Sequence, residues 1–395
     1  MNASGMRSLT ELMKIFFRLG ATAFGGPAAH IAMMEDEVVD RKKWLTRERF
    51  LDLVGATNLI PGPNSTEMAV HIGYIRAGIA GLIVSGLSFI LPAAIITGIL
   101  AWIYVDFGAL PYAASFLFGI KPAVVSIVLV AVVRLGKTAA KDVPLTCIGA
   151  AAALATLAGI NEVLVLFSGG AAGIVLHQLK KRDANKWSLW PPSLLIPLSK
   201  AEVAEAKLSA VASAAGAAAI AGISLWKLGL FFLKIGSVLY GSGYVLIAFL
   251  EGGLVKDYGW LTSQQLLDAV AVGQFTPGPV LSTATFVGYI IAGAPGAFIA
   301  TAAIFLPSFI FVLILNPIIP RLRASRVMSA FLDAVNVSAV GLMASVVITL
   351  AGPALTDWRA AIIAAAAAFV GWQFKLNAAW LVTGGALMGW ALLLI

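Results

Sequence analysis

The stretch that decides the fold is Asn58-Leu-Ile-Pro-Gly-Pro-Asn64, which recurs as Gln274-Phe-Thr-Pro-Gly-Pro-Val280. Each copy lies inside apolar sequence, and two prolines around a glycine end one helix and allow another to begin. At membrane depth, a broken helix is tolerated only where protein or a water-lined cavity satisfies the freed backbone groups. Matching breaks in two halves of a chain therefore predict a transporter binding site. A pair of proline kinks that only shape the helix bundle is the alternative.

The composition is that of an all-α polytopic membrane protein. Hydrophobic residues make up 60% of the chain and charged residues 12%, against about 25% charged residues in soluble domains. Residues 269–320 contain no Asp, Glu, Lys or Arg, and a bilayer-spanning helix needs only about 20 such residues. The net charge of +8 comes from Lys and Arg in short loops. This distribution is typical of membrane proteins and predicts no nucleic-acid partner.

Apolar runs between the loops predict the individual membrane spans. After the first break, we expect one helix that runs through Gly73 and Gly81 to about Tyr104. Further spans are expected at 109–133, 143–160 and 162–178.

The chain repeats itself. A shift of 216 residues places Trp44-Leu-Thr46 on Trp260-Leu-Thr262, and the first Pro-Gly-Pro on the second. We therefore expect an N-terminal repeat at 1–179 and a C-terminal repeat at 224–395. A basic and Ala-rich linker at 180–223 could contain an extra transmembrane span.

The two halves have opposite charge bias. The loop at 40–49 is strongly basic, whereas its counterpart at 256–265 contains Lys256 as its sole basic residue. Because basic loops stay in the cytoplasm, the same loop is expected on opposite sides of the membrane in the two halves. This pattern predicts inverted repeats, with broken or re-entrant helices at the Pro-Gly-Pro segments. It also predicts a cytoplasmic N-terminus and an external C-terminus.

The residues around the breaks suit an anion. Asn, Ser and Thr follow the first break, and Ser and Thr follow the second; these are good helix N-cap residues, and a helix N-terminus offers free N–H groups and partial positive charge. Inversion would bring two such N-termini toward the membrane midplane, where they could hold a dianion. Glycines in the segments 24–27 and 240–243 would let the backbone approach it closely. The predicted substrate-binding residues are Gly25, Gly26, Pro27, Asn58, Pro61, Gly62, Pro63, Asn64, Ser65, Gly241, Ser242, Gly243, Gln274, Thr276, Pro277, Gly278, Pro279 and Ser282.

Charged residues in apolar surroundings are candidates for coupling or gating. Glu35 and Glu251 occupy matching positions in the repeats, and the alternative is that both are solvated helix ends. His30 is present only in the first half, where a structural histidine is the alternative. Lys121 and Asp333 lie in apolar spans. We expect them to pair with each other across the two halves, unless Lys121 faces the anion.

The sequence contains no P-loop, nucleotide-binding glycine fingerprint, metal-ligand cluster or nucleophile elbow. We therefore expect neither an enzyme nor a cofactor. Transport would then be driven by ion or proton gradients.

The motifs together resemble the chromate ion transporter (CHR) family, in its two-domain long-chain type. The motifs that carry the resemblance are Phe24-Gly-Gly-Pro-Ala-Ala-His30, Glu35, Trp44-Leu-Thr46, Pro61-Gly-Pro63 and Gly73-Tyr74, with Gly241, Glu251, Trp260-Leu-Thr262, Pro277-Gly-Pro279 and Gly288-Tyr289 in the second half. The resemblance implies a carrier in the bacterial inner membrane that exports chromate and confers chromate resistance. It also implies that sulfate competes or exchanges, as in an antiporter. The second half departs at Tyr240-Gly-Ser-Gly243, which lacks the proline and histidine, so the two half-sites need not be equivalent.

Two other functions remain open from the residues alone. One is a carrier whose main substrate is sulfate or another oxyanion, and the other is a passive anion channel on the same fold. The expected partners are chromate, sulfate as competitor or counter-substrate, and the lipid bilayer. Whether the chain works as a homodimer is left open.

Overall fold

The computed structural model describes residues 3–107, 111–184, 224–315, 325–374 and 376–393. Every regular element within these ranges is helical, as the composition predicts. The first half contains α1 Ala3–Thr22, α2 Gly26–Glu35, α3 Arg47–Thr57, α4 Asn64–Phe107, α5 Pro111–Ala139, α6 Val143–Leu157 and α7 Glu162–Ala184. The second half contains α8 Leu225–Val238, α9 Val245–Leu250, α10 Ser263–Phe275, α11 Thr283–Leu315, α12 Arg326–Ala354, α13 Trp358–Gln373 and α14 Ala378–Leu393.

Helices α8 to α14 follow the same order as α1 to α7. A π-helical segment continues α2 at Asp36–Arg41, and another continues α9 at Glu251–Asp257. The repeated Trp-Leu-Thr motif has a structural reason, since Thr46 and Thr262 are the N-caps of α3 and α10. Each threonine hydroxyl accepts a hydrogen bond from a backbone N–H of the first helical turn, which would otherwise lack a partner.

Five helical segments of the described residues are long and apolar enough to cross a membrane. They are Asn64–Phe107, Ser115–Ala139, Glu162–Leu179, Val280–Ile314 and Arg326–Ala354. The chain is thus a multi-pass helical membrane protein. The linker proposed at 180–223 falls almost entirely outside the described residues.

Helix α4 is not the single helix expected from the sequence. The backbone leaves helical geometry at Ala77 and Gly78, and the backbones of Gly73 and Gly81 are in direct contact. In a straight helix, residues eight positions apart are separated by about 12 Å. The expectation of one helix through Gly73 and Gly81 to Tyr104 is therefore wrong, because the chain reverses direction at Ala77-Gly78. Gly78 has a φ of 60°, which favours glycine.

The second half contains the same reversal. Ala292 and Gly293 in α11 have φ angles of −146° and 62°, against −147° and 60° at Ala77 and Gly78. Gly288 and Gly296 are in backbone contact there. Each long helix is thus a helical hairpin whose first arm, next to the Pro-Gly-Pro segment, is too short to cross a bilayer alone.

The halves interlock rather than lie side by side. Helix α5 of the first half packs against α13 and α14 of the second, and α12 packs against α6 and α7 of the first. Small residues permit these close crossings. Gly119 of α5 lies against the backbones of Gly385 and Gly389, and Gly173 of α7 lies against Ala334. Each half therefore completes the packing of the other.

Candidate functional site

The two Pro-Gly-Pro segments are tied to the opposite half of the chain. The six residues at 58–63 separate α3 from α4, and the N–H of Gly62 donates a hydrogen bond of 2.7 Å to the carbonyl oxygen of Leu239. The N–H of Gly278 donates one of 2.9 Å to the carbonyl oxygen of Ala23. A shift of 216 residues converts each bond into the other. Each segment thus meets the end of the first helix of the other half.

Two adjoining cavities lie at this meeting point, of about 210 and 340 Å³. Asn64, Leu135, Gly241 and Ser242 line both of them. Their walls come from the first Pro-Gly-Pro segment, the α1–α2 and α8–α9 turns, and helices α5 and α12. The cavities are therefore built by both halves, as the repeated breaks led us to expect of a binding site.

Many of the predicted substrate-binding residues come together here. Asn58 and Asn64 line the smaller cavity, and the Asn64 amide donates a hydrogen bond of 2.6 Å to the Asn58 side-chain oxygen. The predicted residues that line the larger cavity are Gly25, Gly26, Pro27, Gly62, Asn64, Gly241, Ser242 and Gly243. Gly25, Gly26 and Gly241 have φ angles of 109°, 78° and 94°, so the turns they form need glycine.

The other predicted residues are not brought to these cavities. Pro61, Pro63 and Ser65 are buried and line neither cavity. The buried residues of the second segment that line neither cavity are Gln274, Thr276, Pro277, Gly278, Pro279 and Ser282. A Cβ atom at Gly278 would lie 2.7 Å from the Gly20 carbonyl oxygen, so this segment is packed tightly against α1. Asn64 at the start of α4 lines both cavities, whereas these residues of the second segment line neither.

Two cationic residues line the cavities. The ammonium of Lys141 forms a 2.6 Å ion pair with Asp333 in the smaller cavity. Arg134 lines the larger cavity and donates a hydrogen bond of 2.5 Å to the carbonyl oxygen of Gly371. No carboxylate partner of Arg134 occurs among the described residues. Its guanidinium, together with amide and hydroxyl groups, makes the larger cavity suitable for an oxyanion.

The expected Lys121–Asp333 pair is not formed. Lys121 lies 3.7 Å from Asp268, and Asp268 accepts a hydrogen bond of 2.9 Å from the hydroxyl of Tyr104. Asp333 pairs with Lys141 instead. The two residues have different partners because Lys121 on α5 faces α10, whereas Asp333 is near the start of α12 and close to the α5–α6 loop.

The remaining coupling candidates have local partners. Glu35 forms a 3.1 Å ion pair with Arg47, and Glu251 forms a 2.9 Å ion pair with Lys256. The His30 ring is buried, with its Nε2 atom 3.1 Å from the Ala23 carbonyl oxygen. None of the three lines either cavity.

Three residues near the cavities were not predicted from the sequence. Arg134 directly follows the charge-free residues 122–133 of α5. Glu67 and His71 follow the first Pro-Gly-Pro segment at helical spacing, and both are completely buried. Their position inside an apolar segment is the signal that could have identified them.

The family model and three of the relatives that match this chain are described as chromate transporters or chromate transport proteins. A family model described as chromate transporter matches residues 10–174 and again residues 226–390. The chromate transport protein of Cupriavidus metallidurans is 33% identical over 390 residues, which cover 97% of this chain and 92% of that protein. The chromate transport protein of Pseudomonas aeruginosa is 32% identical, with coverage of 97% and 92%. A probable chromate transport protein of Synechococcus elongatus is 32% identical, with coverage of 93% and 90%. No solved structure matches the chain.

Proposed function

The chain belongs to the chromate transporter family, and from this membership we propose that it exports chromate across the bacterial inner membrane as a secondary transporter. Its family is one of transporters rather than enzymes, and its named relatives are chromate transport proteins. Export would confer chromate resistance on the cell. The driving force would be an ion gradient or exchange for another anion.

The observation that carries this proposal is the larger cavity between the halves. It combines the guanidinium of Arg134, the Asn64 amide and the Ser242 hydroxyl with the glycine turns at Gly25 and Gly241. A tetrahedral dianion needs several convergent donors and a neutralising charge. We assign the dianion site to this cavity, on the side of the first Pro-Gly-Pro segment.

We further propose that the two repeats are inverted in the membrane, with the N-terminus cytoplasmic and the C-terminus external. The charge bias of the loops supports this orientation. Gly62 donates a hydrogen bond to the second half, and Gly278 donates the equivalent bond to the first half. This reciprocal pair is compatible with a twofold relation between the halves.

Flux measurements on purified protein test this function. Proteoliposomes containing only this protein would be loaded with sulfate or with buffer, and chromate uptake would be followed with and without a proton gradient. Uptake against the chromate gradient, driven by protons or by internal sulfate, is the expected result. Purely downhill flux would instead indicate an anion channel. Sulfate transport without chromate transport would identify another oxyanion carrier, and no flux of either anion in folded protein would refute the proposal.

A further inference from the structure

A cluster of buried polar side chains without partners lies behind the first Pro-Gly-Pro segment. Thr66, Glu67 and His71 come from the first arm of α4, and Ser308 comes from α11. All four residues are 0% exposed. Both carboxylate oxygens of Glu67, both ring nitrogens of His71 and both hydroxyls lack a hydrogen-bond partner within the described residues. Unpaired groups of this kind are rare in folded proteins and call for an explanation.

The Glu67 carboxyl group lies against the backbone of Gly62. A Cβ atom at Gly62 would collide with Oε1 of Glu67 and would lie 2.8 Å from the Ser308 hydroxyl. Gly62 itself lines the larger cavity and has a φ of 143°. A movement of the Pro-Gly-Pro segment would therefore open Glu67 to the cavity. His71 lies one helical turn after Glu67, on the same face of the helix.

The second half provides an internal comparison. Beyond the breaks, a shift of 215 residues relates Gly73 to Gly288, and the same shift places Glu67 on Ser282 and Thr97 on Val312. Thr97 donates a hydrogen bond of 3.3 Å to the Ser282 hydroxyl. Glu67 is the counterpart of Ser282, and Val312 is the counterpart of Thr97. Val312 is apolar, so it cannot form with Glu67 the hydrogen bond that Thr97 forms with Ser282. The first half thus carries an ionisable group without a partner where the second carries a paired hydroxyl.

The surrounding titratable groups do not neutralise Glu67. His71 is on the same helix, Tyr240 approaches from the α8–α9 turn, and Arg49 of α3 is close enough to affect His71. No ion pair within the described residues includes Glu67. An isolated carboxylate in an apolar interior carries a large desolvation cost, which a bound proton removes. A carboxyl group in this setting therefore exchanges its proton only when the site opens to water.

We propose that Glu67 is the proton-binding residue that couples anion passage to proton movement. The inference rests on the proposed transport function. An anion in the cavity next to Gly62 has the same sign of charge as a Glu67 carboxylate, so its presence favours the protonated carboxyl. One proton, taken from water on one side and released to water on the other, then travels with each dianion. The net charge moved in each cycle is −1, so an inside-negative membrane potential drives export.

Proton-coupled flux in proteoliposomes tests the proposal. An internal pH-sensitive dye would report protons while chromate uptake is measured for the wild-type chain, Glu67→Gln, Glu67→Ser and Glu48→Gln. Glu67→Ser reproduces the residue of the second repeat, and Glu48 is an exposed glutamate on α3 that serves as the control. With the membrane potential held at zero and the outside one pH unit more acidic, the wild-type chain and Glu48→Gln should accumulate chromate up to about tenfold, since one pH unit is a tenfold difference in proton activity. The Glu67 variants should retain downhill chromate flux and lose both accumulation and chromate-dependent proton entry.

Three outcomes would overturn the inference while leaving chromate transport intact. These are normal proton-driven accumulation by folded Glu67→Gln or Glu67→Ser, chromate entry without proton entry in the wild-type chain, and accumulation driven by a Na⁺ gradient alone. Absence of chromate flux in the wild-type chain would instead refute the proposed function.

A chemical measurement decides the proton site without relying on transport. Hydrophobic carbodiimides react with protonated carboxyl groups in apolar surroundings, and peptide mass spectrometry locates the adduct. We expect an adduct at Glu67 that declines as the pH rises and increases when chromate is present. Glu48 should not show this pattern. An unreactive Glu67, or reactivity independent of both pH and chromate, would contradict the proposal.

Discussion

At the residue scale, Arg134 and Lys141 differ in their partners. The Lys141 charge is already balanced by Asp333 at 2.6 Å, so little of it is available to an anion. The Arg134 guanidinium donates to a neutral carbonyl oxygen and retains donors in a planar fork that matches an oxyanion. Arg134 is therefore the residue from which we expect the main electrostatic contribution to substrate binding.

Replacement of Arg134 by Gln should weaken chromate binding. Hydrogen bonds to charged groups contribute about 1.5–3 kcal/mol, so the half-saturation concentration of chromate flux should rise roughly ten- to hundredfold. Arg134→Lys should have an intermediate effect because it keeps the charge and loses the fork. The control is Lys137→Gln on the same helix, where the ammonium lies 4.5 Å above the Trp372 ring. Equal effects of Arg134→Gln and Lys137→Gln would contradict this role.

At the scale of helices, a buried polar contact joins three elements. Tyr104 of α4, Lys121 of α5 and Asp268 of α10 meet at the boundary of the two halves. The Asp268 side chain is 3% exposed, whereas the Lys141–Asp333 pair has side chains that are 57% and 30% exposed. The buried contact should therefore matter far more to stability than the exposed one.

Removal of Lys121 should destabilise the protein by about 3–5 kcal/mol, because Lys121→Met leaves the Asp268 carboxylate buried without its cation. The double variant Lys121→Met with Asp268→Asn should recover most of this loss, since an asparagine side chain is neutral and its amide oxygen can still accept from Tyr104. The control Lys141→Met should cost no more than about 1 kcal/mol. Unfolding of the detergent-solubilised variants by denaturant would measure these differences. A double variant less stable than Lys121→Met would show that charge compensation is not the reason.

At the scale of the whole molecule, each half supplies packing partners to the other. Helix α5 lies against α13 and α14, and α12 lies against α6 and α7. The N–H groups of Gly62 and Gly278 likewise each donate a hydrogen bond to the opposite half. Residues of both repeats line the two cavities. Relative motion of the repeats would therefore alter the shape of the cavities.

Labelling of introduced cysteines tests the proposed inversion. In a chain with Cys147→Ser, Lys43→Cys and Asp257→Cys lie at exposed positions at related ends of the two repeats. A membrane-impermeant maleimide should label Lys43→Cys only in inside-out vesicles and Asp257→Cys only in right-side-out vesicles. Labelling of both positions from the same side would refute the inverted arrangement.

Much of the fold could be predicted from the sequence because its signals are local. Apolar runs, threonine caps and Pro-Gly-Pro segments each act within a few residues, and the internal repeat was visible as Trp-Leu-Thr and Pro-Gly-Pro at one shift. These signals predicted an all-helical membrane protein of two related halves and directed attention to residues 58–64. They did not reveal the reversal at Ala77-Gly78, because one glycine in an apolar helix also occurs without a turn.

The tertiary structure alone decided which side chains meet. Lys121 pairs with Asp268 rather than Asp333, the second Pro-Gly-Pro segment is packed away from the cavities, and Glu67 lies unpaired behind Gly62. The two Pro-Gly-Pro segments have different environments because their neighbours come from distant helices, such as Ser308 near one segment and Ala93 near the other. Local sequence determines where helices form and break. Long-range packing determines which of two similar breaks borders a cavity and which charge remains without a partner.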